Sequence, residues 1–139
     1  MTNSIIVSNT GSASQVIGAH GGSGLMHWKR FVTGLMLHAA WDSFEHNILE
    51  PGAAVGEHVH SRTEEIYLNV SGTGMMNYNG DEFEVVPGDL IMTPLNGRHG
   101  IVNHGSEPLE FVVVRLFPPP SSMLFRIIPP RLALTKEIT

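Results

Sequence analysis

The sequence predicts an all-β protein, an antiparallel β-barrel or jelly roll, on three observations. Fifteen glycines and nine prolines in 139 residues supply turn chemistry at short intervals. Between those turns lie apolar runs of strand length, several of them alternating. No stretch carries a sustained helical period that would compete for the core. Many short antiparallel strands suit a barrel or a double-sheet roll, which leaves few exposed edges. The length fits one domain, large enough to bury a core without staples.

Residues 1–24 are rich in Ser, Asn and Gly, with one apolar run from Ile5 to Val7. They read as an N-terminal arm, mobile or docked as an edge strand on a partner. His20 and His27 flank the flexible GGSGLM and read as solvated loop histidines. A single barrel is expected over 25–118. Its first strand candidates are Arg30 to Leu37 and Ser43 to Glu50, separated by HAAWD, where Trp41 suits packing. In the second, Phe44, His46 and Ile48 oppose Glu45, Asn47 and Leu49.

Further strands are expected near 54–60, 65–70, 74–78, 82–86, 89–93, 100–104 and 109–117. Asn79-Gly80 is a strong hairpin signal, because both central positions of a type I′ turn need positive φ. Pro87-Gly88 and Asn96-Gly97 mark further turns. After Phe117 the run PPPSSM stops the sheet, since proline cannot donate to a ladder. Residues 119–139 read as a C-terminal extension whose apolar run, Leu124 to Ile128, packs on the barrel or on a partner subunit.

Composition excludes several functions. With no cysteine, disulfides and thiolate metal sites are ruled out. A formal charge of −5 argues against a nucleic-acid footprint. No run approaches the roughly 18 apolar residues of a membrane helix. The first residues lack the basic and apolar regions of a secretory signal. A soluble, cytoplasmic protein is the expectation.

The chemistry concentrates between Gly52 and Gly72. His58 and His60 stand two apart, so on a strand both imidazoles share a face. Glu64 and Glu65 open the next strand, and His99 lies on a later one. Histidines and a carboxylate from neighbouring strands form a nitrogen and oxygen set suited to a divalent metal.

These stretches resemble the cupin superfamily. Its first motif is matched by Gly52, His58, His60, Glu65 and Gly72, and its second by Gly88, Pro94, His99 and Asn103. The second departs by one place: Asn96 stands where the family has glycine, and Gly97 follows. Asn also tolerates positive φ in a turn. The resemblance implies a small single-domain metal-binding cupin, with His58, His60, Glu65 and His99 coordinating one metal. Alternation alone would turn Ile66, Leu68 and Val70 inward and Glu64 with them. The family spacing selects Glu65 instead, which leaves those aliphatic residues on the other face.

Such a set accepts Fe, favoured here, or Zn, Mn, Ni or Cu. Glu65 and Tyr67 are the candidate catalytic residues. Phe44, His46, Asn69, Met75, Met92, Ile101 and Arg115 are the candidate pocket wall. Tyr67 and Asn69 share the face of Glu65, and Arg115, if inward, could pair an anionic substrate. His46 is either a donor behind the ligands or a structural histidine. Asn103 suits turn stabilisation at least as well as substrate contact.

A metalloenzyme acting on a small organic molecule is expected, an oxidoreductase of the dioxygenase type narrowly ahead. The alternatives are a redox-neutral cyclase, isomerase or lyase, and a non-enzymatic binder or sensor. The aliphatic outer face of the 65–70 strand predicts a homodimer.

Overall fold

The computed structural model describes residues 9–36 and 39–119. Ten strands run in order: β1 (Ser14–Ile17), β2 (Leu25–Thr33), β3 (Trp41–Leu49), β4 (Ala54–Val59), β5 (Glu64–Ser71), β6 (Gly74–Tyr78), β7 (Asp81–Val85), β8 (Leu90–Thr93), β9 (Arg98–Val102) and β10 (Leu109–Leu116). They form two antiparallel sheets, ordered β1-β2-β3-β10-β5-β8 and β4-β9-β6-β7. Among the described residues there is no α-helix, and hence none long and apolar enough to cross a membrane.

The inner faces of the sheets meet over Leu49, Met76, Val85, Leu109, Phe111 and Val113, all buried. At one end of this core, side chains from both sheets become polar, and the candidate site lies there.

The turns follow local chemistry. Asn79 and Gly80 have φ of 51° and 94°, the two left-handed positions that join β6 to β7. Asn96 takes φ of 66° in the turn before β9, so asparagine supplies the left-handed backbone there.

Two boundaries differ from expectation. β2 starts at Leu25 and ends at Thr33, and Gly34–Met36 form a 3-10 turn. Gly34 lies against the Trp41 carbonyl, where a Cβ would overlap, so the chain reverses there. Residues 14–17 form an edge strand on β2 of their own chain, pairing from Ser14 with Trp28 to Ile17 with Leu25. Ile5–Val7, His38 and Leu124–Ile128 lie outside the described residues.

Register decides what β5 shows the interior. Glu65, Tyr67 and Asn69 are buried, while Leu68 and Val70 are 39% and 46% exposed. A one-residue slip would invert this. β5 is fixed on both sides, with Arg115 of β10 opposite Glu65 and Thr93 of β8 opposite it on the other edge.

A candidate metal centre between two cavities

His58 on β4 pairs directly with His99 on β9, so these two imidazoles come from adjacent strands of the smaller sheet. His60 follows the end of β4, held by backbone bonds from its N–H to the Gly97 carbonyl (3.0 Å) and from the Asn96 N–H to its own carbonyl (2.8 Å). The turn carrying Asn96 thus anchors a histidine of the first motif to the second. Glu65 projects from the facing sheet.

The four side chains converge. One ring nitrogen from each of His58, His60 and His99 lies within 4.8 Å of the others. His60 Nε2 and His99 Nε2 are 2.9 Å apart. Glu65 Oε1 is 3.1 Å from His99 Nε2, and its Oε2 is 3.5 Å from His60 Nε2. His58 Nδ1 donates to the Gly56 carbonyl at 2.9 Å, which leaves Nε2 its lone pair. The Thr93 hydroxyl lies 3.3 Å from His99 Nδ1.

Electrostatics favour the ligand forms. Burial lowers the His58 imidazole to about 4 and also lowers His60, so both are neutral at pH 7. Burial alone would raise the Glu65 carboxyl; the hydrogen bond and charge of His99, with His60 and Arg115, hold it well below the usual carboxylate range. Neutral imidazoles and an ionised carboxylate are what a metal requires of its ligands. Three nitrogens and a carboxylate, mostly buried, fit a borderline divalent transition metal.

A charged network stands behind Glu65. Arg115 Nε donates to Glu65 Oε2 at 3.0 Å, and its Nη1 to Glu45 Oε1 at 3.2 Å. Glu45 is buried and also accepts from Trp28 Nε1 at 3.0 Å and from Arg30 Nε and Nη2 at 3.0 and 2.8 Å. Burial opposes the Arg115 charge, but Glu45 and Glu65 outweigh it, so the cation persists. Every polar partner in this chain of contacts is charge-assisted.

A cavity of about 330 Å³ extends inward from the cluster, with apolar walls that include Met26, Val55, Met76, Ile101, Phe111 and Val113. A second, of about 240 Å³, lies on the other side and touches His60, Asp42, Arg62 and Thr63. His20, His58 and Arg115 border both. Tyr67 lines the inner cavity, stacked on Phe111 at 4.2 Å, and its buried hydroxyl has no hydrogen-bond partner among the described residues. Burial raises that phenol well above its ordinary range, so it remains a proton donor.

Of the expected site residues, the structure brings His58, His99, Glu65, Tyr67, Ile101 and Arg115 to the inner cavity, and His60 to the outer one. Five of the expected wall residues lie elsewhere. Phe44 and His46 occupy the outer face of β3: Phe44 packs near Phe31 at 5.8 Å, and His46 Nε2 meets Glu110 Oε1 at 2.7 Å. The inner face of β3 is polar, carrying Ser43, Glu45 and Asn47. Met75 is likewise one residue off, since Met76 is the buried neighbour that lines the cavity. Met92 is 54% exposed on β8, whose inward residue is Thr93. Asn69 is buried, but its Nδ2 donates to the Gly72 carbonyl at 3.0 Å and serves the strand end. Asn103 stabilises a turn, donating to the carbonyls of Leu49 and Glu107.

Glu45, Arg30, Trp28 and His20 were not singled out from sequence as site residues. Glu45 had a signal: polar residues face inward at this end of β5, and the same inversion on β3 selects it. His20 had none, because its place depends on a chain crossing.

This fold and this donor set define a small β-barrel protein with three histidines placed where they could hold a metal ion. Residues 46–115 match the cupin domain, and the chain belongs to that family. An oxalate-binding protein of Thermotoga maritima is 28% identical over 113 residues, covering 81% of this chain and 93% of the relative. The crystal structure of a predicted oxalate decarboxylase from Thermotoga maritima superposes with a TM-score of 0.75 at 27% identity, over 79% of this chain and 97% of that one. A cupin 2 conserved barrel domain protein from Salinispora arenicola shares the fold, with a TM-score of 0.67 at 20% identity over 89% of this chain and 96% of the other.

Proposed function

We propose that this chain is a metal-dependent enzyme acting on a small organic carboxylate, with His58, His60, His99 and Glu65 holding one divalent transition metal. The observation that carries the reading is the convergence of three imidazole nitrogens with Glu65 at the mouth of an internal cavity. Charge supports the substrate class. Arg30 and Arg115 balance Glu45 and Glu65 around the cavity, so a divalent cation on neutral imidazoles leaves it positive and attractive to an anion. The oxalate-binding relative is consistent with that class.

A metal there would supply Lewis-acid polarisation of a carboxylate oxygen or, as iron, oxygen chemistry. The chain's own residues do the rest. Arg115 holds the Glu65 carboxylate in place, and Glu45 holds Arg115. The apolar inner wall excludes water from a bound ligand. Tyr67 offers a neutral hydroxyl, unpaired among the described residues, that can donate to an anion or deliver a proton to a developing carbanion. That donor favours a redox-neutral lyase reaction, such as loss of carbon dioxide from a carboxylate.

Oxygenation of the dioxygenase type is the second reading, favoured by a four-residue ligand set that leaves coordination positions open. The functional unit in either reading is a homodimer, on the argument of the exposed apolar face of β5 and β8.

The test begins with the metal content of protein purified without added metal. Oxalate and short-chain carboxylates are then offered to the loaded protein, with carbon dioxide release and oxygen uptake followed together. Carbon dioxide without net oxygen consumption supports the lyase. Stoichiometric oxygen consumption supports the dioxygenase. Tight carboxylate binding with no turnover would leave a non-enzymatic binder and overturn both.

A further inference from the structure

We infer that His20 is a positioning residue for the metal centre: its ring lies flat against His58 and fixes the plane in which His58 presents Nε2. This inference rests on the metal-centre reading above. The two ring centroids are 3.9 Å apart and the planes differ by 10°. His58 meets His60 and His99 at wider separations of 4.8 Å and steep tilts of 58° and 59°. His58 is only half-buried, and its Nδ1 bond to the Gly56 carbonyl restrains one point of the ring. That bond, with the Cβ–Cγ tether, fixes the tautomer and limits the swing of the ring. The parallel face of His20 adds a second restraint, and a metal ligand held in one orientation binds more tightly than one that must be ordered.

The backbone around His20 is built to hold it there. Residues 18–24 cross β4 as a strap, with the Ser23 N–H on the Ala54 carbonyl at 3.0 Å and the Ala54 N–H on the Ser23 carbonyl at 2.6 Å. The crossing is so close that a Cβ on Gly22 would overlap the Ala54 carbonyl, and one on Gly56 would overlap the carbonyl of His20 itself. Gly56 therefore both receives the strap and accepts the His58 Nδ1 proton. His20 has φ of 51° and ψ of 35°, left-handed backbone that disfavours a side chain. Gly18 and Gly21 on either side take the same sign without penalty. A histidine kept in such a conformation amid glycines is over-determined by its surroundings. The strap's backbone bonds and close glycine contacts hold it, and so set its ring against that of His58.

Cobalt(II) titration of the full chain, followed by visible absorption, tests the role. His20→Gly is expected to weaken cobalt affinity on the order of tenfold and to change the absorption band. The thermal midpoint of the metal-free protein should not fall, because glycine relaxes the left-handed backbone. His20→Phe restores a flat ring without a donor nitrogen and should recover most of the affinity. Wild-type affinity and spectrum in His20→Gly would overturn the inference while leaving the metal centre intact. A phenylalanine variant as weak as the glycine variant would overturn it too, by showing that a ring nitrogen matters rather than the stacked face. Wild-type protein that binds no cobalt would remove the metal centre and this role with it.

Discussion

His60 Nε2 and His99 Nε2 stand 2.9 Å apart, each facing an oxygen of the same Glu65 carboxylate. Convergence of a carboxylate with imidazole nitrogens concentrates lone pairs in a largely dry interior, an arrangement that a cation completes. Replacing His99 or His58 with alanine should therefore abolish stoichiometric metal binding while circular dichroism retains its β signature. Either variant purified with one metal per chain would show that the ligand set is wrong.

The register of β5 makes a sharper contrast. Glu65 is buried among the imidazoles, whereas its neighbour Glu64 is exposed. Glu65→Gln should weaken metal binding at least tenfold, on the order of 1.4 kcal/mol or more, and Glu64→Gln should leave it unchanged. Calorimetric titration of both variants decides the matter, and the reverse ranking would place the wrong carboxylate in the centre.

Acid should destabilise the metal-free protein before its carboxylates titrate. The His58 imidazole falls from 6.5 to about 4 on folding, and His60 shifts the same way, both through burial. Between those values the unfolded chain binds protons that the folded chain refuses, so stability drops as pH falls through that window. Above about 6.5 and below about 4, His58 adds no further slope. Urea midpoints at a series of pH values should decline across the window, and a flat profile would contradict the neutral, buried state of His58.

Arg115 bridges Glu45 and Glu65, two carboxylates each 3% exposed at the side chain. Removing the cation leaves Glu65 without its guanidinium and weakens the support of Glu45. Arg115→Ala should cost about 3 kcal/mol or more, as expected when one partner of a buried ion pair is deleted. Denaturant unfolding measures it, and a change within experimental error would show that Arg30 alone compensates Glu45 and that Glu65 needs no cation.

The outer face of β5 continues onto β8. Leu68 stands opposite Leu90 and Ile66 opposite Met92, with Leu90 and Met92 57% and 54% exposed. Burying an aliphatic side chain fully contributes roughly 1.5–3 kcal/mol, so a contiguous set at a sheet edge favours association with a second copy. Light scattering at micromolar concentration should give twice the chain mass, and Leu68→Asp should shift it towards the monomer. A monodisperse wild-type monomer would rule the dimer out.

How much of this was written in the chain varies from element to element. The all-β architecture was legible because turn chemistry is local: Asn79-Gly80 and Asn96 tolerate the positive φ that a tight turn imposes, and both take it. The cluster of His58, His60, His99 and Glu65 was legible as spacing. His58 and His60 share a face by strand alternation, and the motif positions selected Glu65 over Glu64. The pocket wall was not, because alternation divides a strand into two faces without saying which is inner. On β3 the set Phe44, His46 and Ile48 takes the outer face, and Glu45 turns in. The general preference for apolar residues inside fails at this end of the barrel because Arg30, Arg115 and Trp28 satisfy the buried carboxylate.

The sequence by itself determined the strands after Trp41, their turns and the residues able to bind a metal, since each follows from neighbours a few positions away. Tertiary structure alone decided that Arg115, fifty positions from Glu65, would restrain it, and that His20 would lie against His58. Those contacts depend on sheet pairing and on one strap crossing one strand. They are long-range consequences of closing the barrel, and no local pattern of residue types encodes them.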